Sequence, residues 1–270
     1  MLNVAAKFGA TMPEFYDKCM GPAWFEPFGA DLVARMPANL PGDVLEIASG
    51  TGIVTKQLRD RLDPARRVVA SDISKPMLEY AHNKLVEYTG IEWREADATS
   101  LPFSNGEFDA VVCAFGAMFV PDRRAFFREA RRVLKKNGVL LFSVWDRVEE
   151  NPHAIAFSEV IEGFFPGDPE MRFQFPYEMH DRMLLRQLLD EAGFQEQRIE
   201  RKQIQVDGVS AYELAVGLIR GSPRSSFFEK KGVSLDAVIE KLAAALANVG
   251  GADPYRAPAS AVVVEACAIG

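Results

Sequence analysis

The chain has 270 residues, 48% of them hydrophobic, and a formal net charge of -7 at pH 7. That is enough length and apolar content for one large domain, or two small ones, around a substantial core. The acidic balance argues against a protein whose main task is to grip duplex nucleic acid, because such proteins present a basic face. The basic run over residues 123–136 reads as a solvated helix face.

Cys19, Cys113 and Cys267 are far apart, odd in number and without metal-ligand spacing, so neither a disulfide framework nor a metal site is expected. The chain shows no basic segment leading into an apolar signal core and no apolar run of membrane-spanning length. The expectation is a soluble cytoplasmic protein with no membrane span.

Taken in order, residues 1–40 form a leader rich in aromatics (Phe15, Tyr16, Trp24, Phe25, Phe28) and broken by Pro22 and Pro27, with a helix predicted over 31–36. Such a leader packs on the body of the domain or folds over a pocket as a lid. Residues 41–146 then alternate. Strands are predicted at 44–47, 67–71, 91–95, 110–114 and 139–145. Helices are predicted at 53–62, 76–88 and 123–134, and Asn137-Gly138 turns the chain into the fifth strand. Apolar strands alternating with helices predict a parallel sheet covered on both faces.

Residues 147–183 break this rhythm. They carry Phe157, Phe164, Phe165, Phe173 and Phe175 among four prolines, and read as an inserted cap. Residues 184–270 resume with the rest of a helix predicted from 181 to 192, a long strand at 195–206, helices at 211–219 and 235–247, and a last apolar strand at 261–268.

The chemistry concentrates in Val44-Leu45-Glu46-Ile47-Ala48-Ser49-Gly50-Thr51-Gly52, a buried strand running into a Gly-rich turn. Glycines there let a ligand approach the backbone, and Glu46 stands near the carboxyl end of the strand, where open α/β sheets bind ligands. A carboxylate at that point suits a ligand bearing amines or hydroxyls better than a phosphate. Asp72 ends the second strand, where it could accept from hydroxyls or cap the next helix, although Ser74 with Pro76 in the first turn could also cap it. Asp97 follows the third strand and could make an Asx-turn.

The strand–turn–helix segment resembles motif I of the class I S-adenosylmethionine-dependent methyltransferases, an acidic residue followed by three spaced glycines, with Ala48 in place of the first glycine. The segments Val68-Val69-Ala70-Ser71-Asp72-Ile73-Ser74, Arg94-Glu95-Ala96-Asp97-Ala98 and Phe108 to Ala117 match the family's later motifs in order across about residues 40–146.

The resemblance is nearest to the small-molecule enzymes of the ubiquinone/menaquinone-biosynthesis type. It implies a Rossmann-like α/β fold: a seven-stranded, mostly parallel sheet with helices on both faces, its last strand antiparallel, plus a helical cap. It implies S-adenosylmethionine as cofactor. Glu46, Ala48, Gly50 and Gly52 would hold the methionine part, Asp72 the ribose, Ile73 and Met77 the two faces of the adenine, and Asp97 with Ala98 its edge. Ala114 and Phe115 would lie beside the methionine moiety. Ala-Phe-Gly-Ala stands where nucleic-acid amino methyltransferases carry a Pro-Pro loop, which points to a small-molecule methyl acceptor rather than nucleic acid.

In that setting the aromatic leader and cap suggest an apolar or aromatic acceptor. Packing within the cap, or a homodimer interface, would explain the same residues. His153, His180 and Tyr16 are the candidate catalytic or orienting residues, a base being needed only for an acceptor that is protonated at working pH. Two other readings remain. A non-catalytic S-adenosylmethionine-binding or scaffolding protein could share the fold. A nicotinamide-dependent dehydrogenase would need a third glycine, and Gly50-Thr51-Gly52-Ile53-Val54-Thr55 lacks it.

Overall fold

The computed structural model describes residues 12–38, 40–171 and 175–268. Most of the leader's first residues, and Phe173 of the predicted cap, lie outside these.

Val44, Leu45 and Ile47 form the central strand β1 (Val44–Ile47), all of whose residues are buried. The strands β2 (Val68–Asp72), β3 (Ile91–Glu95), β4 (Phe108–Ala114), β5 (Leu134–Trp145), β6 (Gln195–Gln205) and β7 (Pro258–Cys267) complete one sheet in the order β3-β2-β1-β4-β5-β7-β6. Strands β1 to β5 run parallel, and β7 lies antiparallel against β5, as expected. Strand β1 is flanked by β2 on one side and β4 on the other. This is the topological switch point at which such sheets open a ligand crevice beyond the strands' carboxyl ends.

The period-2 alternation of the strands divides the core into two layers. On one face Val44, Val68, Val112, Leu141 and Val263 meet Val54 and Leu58 of α3 (Ile53–Arg61) and Leu32, Val33 and Met36. Leu32 and Val33 belong to α2 (Glu26–Ala34). On the other face Phe142 packs edge-on against Phe127 of α5 (Arg123–Val133), with ring centroids 5.4 Å apart. Between these lie α4 (Lys75–Lys84) and, before β6, α7 (Arg182–Glu191). Arg35 on the α2 side bridges Asp31, Glu200 and Glu265, tying the strands β6 and β7 to that helix.

The chain contacts divide into two units. One is the α/β body, residues 28–146, 176–202 and 261–270; the other gathers residues 1–27, 147–175 and 203–260. The second unit is helical. It contains α1 (Met12–Phe15), a π-helical segment Tyr16–Phe25, α6 (Pro152–Phe164), α8 (Ala211–Arg220), α9 (Ser225–Lys230) and α10 (Leu235–Gly250). Gly217 of α8 lies where an added Cβ would come within 2.7 Å of the Cys19 Cβ, so α8 and the π segment approach closely because no side chain intervenes. Asn151 is fully buried and exchanges hydrogen bonds with the backbone of Ser260, its Oδ1 accepting from the Ser260 N–H and its Nδ2 donating to the Ser260 carbonyl.

Four local expectations need correction. The leader is helical from Met12 to Ala34 rather than only over 31–36. Pro22 falls in the π-helical stretch, where the Glu26 N–H donates to the Gly21 carbonyl five residues back, and this wider turn accommodates the missing donor. Strand β5 begins at Leu134 rather than after Gly138. Leu134 pairs with Phe108 before a register shift, and Asn137, at φ 62°, stays in the strand through the Ala268 carbonyl. The helix after β2 ends at Lys84 rather than at residue 88, and α9 lies in a stretch where no element was predicted.

Candidate functional site

The site is built at the carboxyl ends of β1, β2 and β4, wholly within the α/β body. After β1 the backbone takes three left-handed residues in five: Ala48 at φ 57°, Gly50 at φ 54° and Gly52 at φ 75°. A Cβ built on Gly50 would meet nothing within 4 Å, so that position opens onto free space. Ala48 takes a left-handed conformation that costs an L-residue roughly 1–2 kcal/mol. Its Cβ fits because Gly116, beyond β4, has none: a Cβ there would stand 2.4 Å from that of Ala48. The glycine missing from the first turn is in effect supplied by the opposite one.

Glu46 is buried on the α3 face and accepts from the Thr55 Oγ1 hydroxyl of α3 at 2.5 Å. Burial pushes its carboxyl up to about 8, the nearby Asp72 carboxylate adds to this, and the Thr55 bond works against it. Asp72 accepts from the Gly50 N–H with Oδ2 and from the Ser74 N–H with Oδ1, both at 2.8 Å. Its carboxyl is also raised by burial, against the pull of these backbone donors. The helix-cap expectation is therefore corrected. Ser74 occupies the N-cap position without a side-chain cap bond, and Asp72 takes its backbone N–H instead. The Ile73 N–H also bears on this carboxylate, so three backbone donors converge on Asp72.

Asp97 makes the Asx-turn: its Oδ1 accepts from the Thr99 N–H and the Thr99 hydroxyl. It is exposed, and Ala98 beside it is half-buried. Ile73 is 49% exposed and offers an apolar surface next to Asp72, whereas Met77 of α4 is buried. Ala114 is half-buried at the end of β4. Phe115 follows at φ 54°, a strained position for a bulky residue, with its N–H donating to the Ser143 carbonyl. Its ring lies 4.5 Å from that of Trp145 and 5.3 Å from that of Phe28, and Trp145 in turn reaches Tyr177 at 6.0 Å.

This arrangement fits S-adenosylmethionine. The Gly50 turn leaves room for backbone approach. The hydroxyls of Ser49, Thr51 and Ser74, in the loops after β1 and β2, are buried without a hydrogen-bond partner among the described residues. The Ser49 and Thr51 hydroxyls, Thr55 behind Glu46 and the close approach of Gly116 to Ala48 escaped sequence reasoning, and Ser74 was read only as a helix cap. Only Thr51, between the two glycines, carried a signal at that level. Among the described residues, no group of three or more His, Cys, Asp or Glu is placed to hold a metal ion, and no helix is long and apolar enough to cross a membrane.

The three candidate catalytic residues fall in different places. His180 is half-buried in the α/β body, its Nδ1 2.6 Å from the Tyr177 carbonyl. A carbonyl only accepts, so Nδ1 carries a proton. In the helical unit, Tyr16 stacks on Phe25 at 4.8 Å. His153 is fully buried there against Trp24, with ring centroids 4.5 Å apart, and burial pushes its imidazole down to about 3. Such a ring stays neutral and is a weak base.

The unfolded chain binds a proton at His153 below about 6.5 that the folded chain refuses, so stability falls with acidification between these two values. We expect His153→Leu to remove about 2–3 kcal/mol of the stability lost between pH 6.5 and 4.5, measured by urea unfolding. Parallel pH profiles for the two proteins would contradict a buried neutral His153.

Comparison with known proteins accords with this geometry. Residues 45–142 match the family model described as a methyltransferase domain. A ubiquinone/menaquinone biosynthesis C-methyltransferase of Hahella chejuensis is 41% identical over 101 residues, covering 36% of this chain and 41% of that protein. A demethylmenaquinone methyltransferase of Thermus thermophilus is 41% identical over 122 residues, covering 42% of this chain and 54% of that protein. The chain thus spans about half the length of the curated relatives it matches.

Among solved structures, a Haemonchus contortus phosphoethanolamine N-methyltransferase in complex with S-adenosylhomocysteine aligns with a TM-score of 0.64 at 15% identity, covering 100% of this chain and 61% of that one. A methyltransferase of Aquifex aeolicus aligns with a TM-score of 0.51 at 20% identity, covering 74% of this chain and 94% of that one. Fold, switch-point site and motif order converge: residues 45–142 of this chain match a methyltransferase domain, the cofactor of which is S-adenosylmethionine.

Proposed function

We propose that the chain transfers a methyl group from S-adenosylmethionine to a small apolar or aromatic acceptor. The observation that carries this reading is the switch point itself, where Glu46, the open Gly50 turn and Asp72, which accepts from the Gly50 N–H, stand at the carboxyl ends of β1 and β2. The cofactor supplies an already activated methyl on a sulfonium, so this chain's task is to bind, orient and exclude water. Glu46 and the backbone at Ala48, Gly50 and Gly52 hold the methionine part. Asp72 accepts from the ribose hydroxyls. Ile73 and Met77 flank the adenine, and Asp97 with Ala98 meets its edge.

The aromatic series Phe28, Phe115, Trp145 and Tyr177 stands at the carboxyl ends of β4 and β5. Apolar walls of this kind suit an aromatic ring, and the matched relatives named for ubiquinone and menaquinone biosynthesis support that class. Where the acceptor must lose a proton, His180 is the remaining candidate of the two histidines, since burial holds His153 as a weak base.

Calorimetric titration with S-adenosylmethionine should show one saturable site, and NADH should show none. Incubation with reduced quinone rings should then yield S-adenosylhomocysteine. Binding of NADH instead would overturn the reading. Cofactor binding without turnover on any apolar ring would reduce the protein to an S-adenosylmethionine-binding module.

A further inference from the structure

Glu46 stands in an unusual electrostatic position. It is enclosed on all sides, and Thr55 of α3 is its hydrogen-bond donor. The charged and titratable groups that face it are Asp72 from β2, Lys84 from α4 and the buried Cys113 thiol from β4. Asp72 opposes a second negative charge, Lys84 is the weakest of the influences on it, and the Cys113 thiol is itself pushed up to about 12 by burial. A bare carboxylate there would be a desolvated charge without a close counter-ion, which is strongly unfavourable. The neutral acid still accepts the Thr55 hydroxyl bond. The missing counter-charge is what an ammonium group placed at the Gly50 turn would bring.

We propose that Glu46 holds a proton until the α-ammonium of the cofactor arrives, and that binding expels this proton to solvent. The O–H bond of the carboxyl breaks, the proton passes to a buffer base, and the resulting carboxylate pairs with the ammonium; no electrons are exchanged. Glu46 thereby acts as a proton-linked sensor of the bound cation, and cofactor affinity depends on pH through this one group. The inference rests on the cofactor reading above, in which Glu46 faces the methionine moiety.

The test uses S-adenosylhomocysteine, which keeps the ammonium and cannot be turned over. Titration by calorimetry at pH 6.5, in buffers of low and high ionisation enthalpy, counts the protons released. With the carboxyl at about 8 in the free protein, release should be close to one proton per site, while the ligand's own amine is still charged. Apparent affinity should rise roughly tenfold from pH 6 to pH 7. Glu46→Gln should bind with no proton release and no such rise. In Thr55→Val the carboxylate loses its donor and holds its proton more tightly, so affinity at pH 7 should fall below that of the unmutated protein. Binding without release in the unmutated protein, or undiminished release in Glu46→Gln, would overturn the inference and leave the cofactor reading intact. Failure of S-adenosylhomocysteine to bind at all would instead overturn the cofactor reading.

Discussion

Replacing Asp72 by Ala should weaken S-adenosylmethionine binding by roughly ten- to a hundred-fold, because a charge-assisted acceptor is worth about 1.5–3 kcal/mol. Asp72 has a second task that enlarges the effect. Its two oxygens hold the Gly50 and Ser74 N–H groups at 2.8 Å each, and so pin the Gly-rich turn of β1 to the start of α4. In Asp72→Ala both donors lose their partner, and each such loss costs about 1–3 kcal/mol where water cannot enter. Stability and affinity should therefore fall together. Asp72→Asn separates them: its carbonyl oxygen still accepts one backbone N–H, so more stability than affinity should be retained. Calorimetry and urea unfolding on the same samples check both outcomes. A folded Asp72→Ala protein with unchanged affinity would remove Asp72 from the ribose site.

The second large effect concerns the pair Ala48 and Gly116. A Cβ on Gly116 would lie 2.4 Å from the Ala48 Cβ and 2.9 Å from the Cys113 Sγ, distances that packed atoms do not adopt. Gly116→Ala should cost about 1–3 kcal/mol or more, the usual range for forcing a methyl into a filled space. Ala48→Gly alone should be nearly neutral. Relief of the left-handed Ala48 backbone, about 1–2 kcal/mol, is offset by the greater freedom of glycine in the unfolded chain. The double variant should recover part of the loss, since the first clash is gone and the Cys113 contact remains. The coupling energy from a double-mutant cycle should exceed about 1 kcal/mol. Additive effects would mean that the two loops do not share this space.

How far the sequence could be read depends on the range of the interactions involved. The four buried residues Val44 to Ile47 and the glycines after them marked β1 and the turn to α3, because strand alternation and left-handed turns are written in neighbouring residues. The antiparallel seventh strand followed from the family resemblance, and β7 does lie against β5. The helical leader was not legible. Pro22 and Pro27 read as breakers, whereas Pro22 falls within a π-helical stretch and the helix continues to Ala34.

The sequence alone determined which residue types stand at the carboxyl ends of β1 and β2: Glu46, the Gly50 and Gly52 turn, and Asp72. Tertiary structure alone decided what those groups do before any ligand arrives. Asp72 accepts from backbone N–H groups 22 and 2 residues away. Glu46 is enclosed beside Thr55. His153, an equal candidate base by composition, is sealed against Trp24 and held neutral. The reason is physical: type and local conformation are properties of adjacent residues, whereas burial, hydrogen-bond partners and proton affinity are set by groups that meet only when the chain has folded.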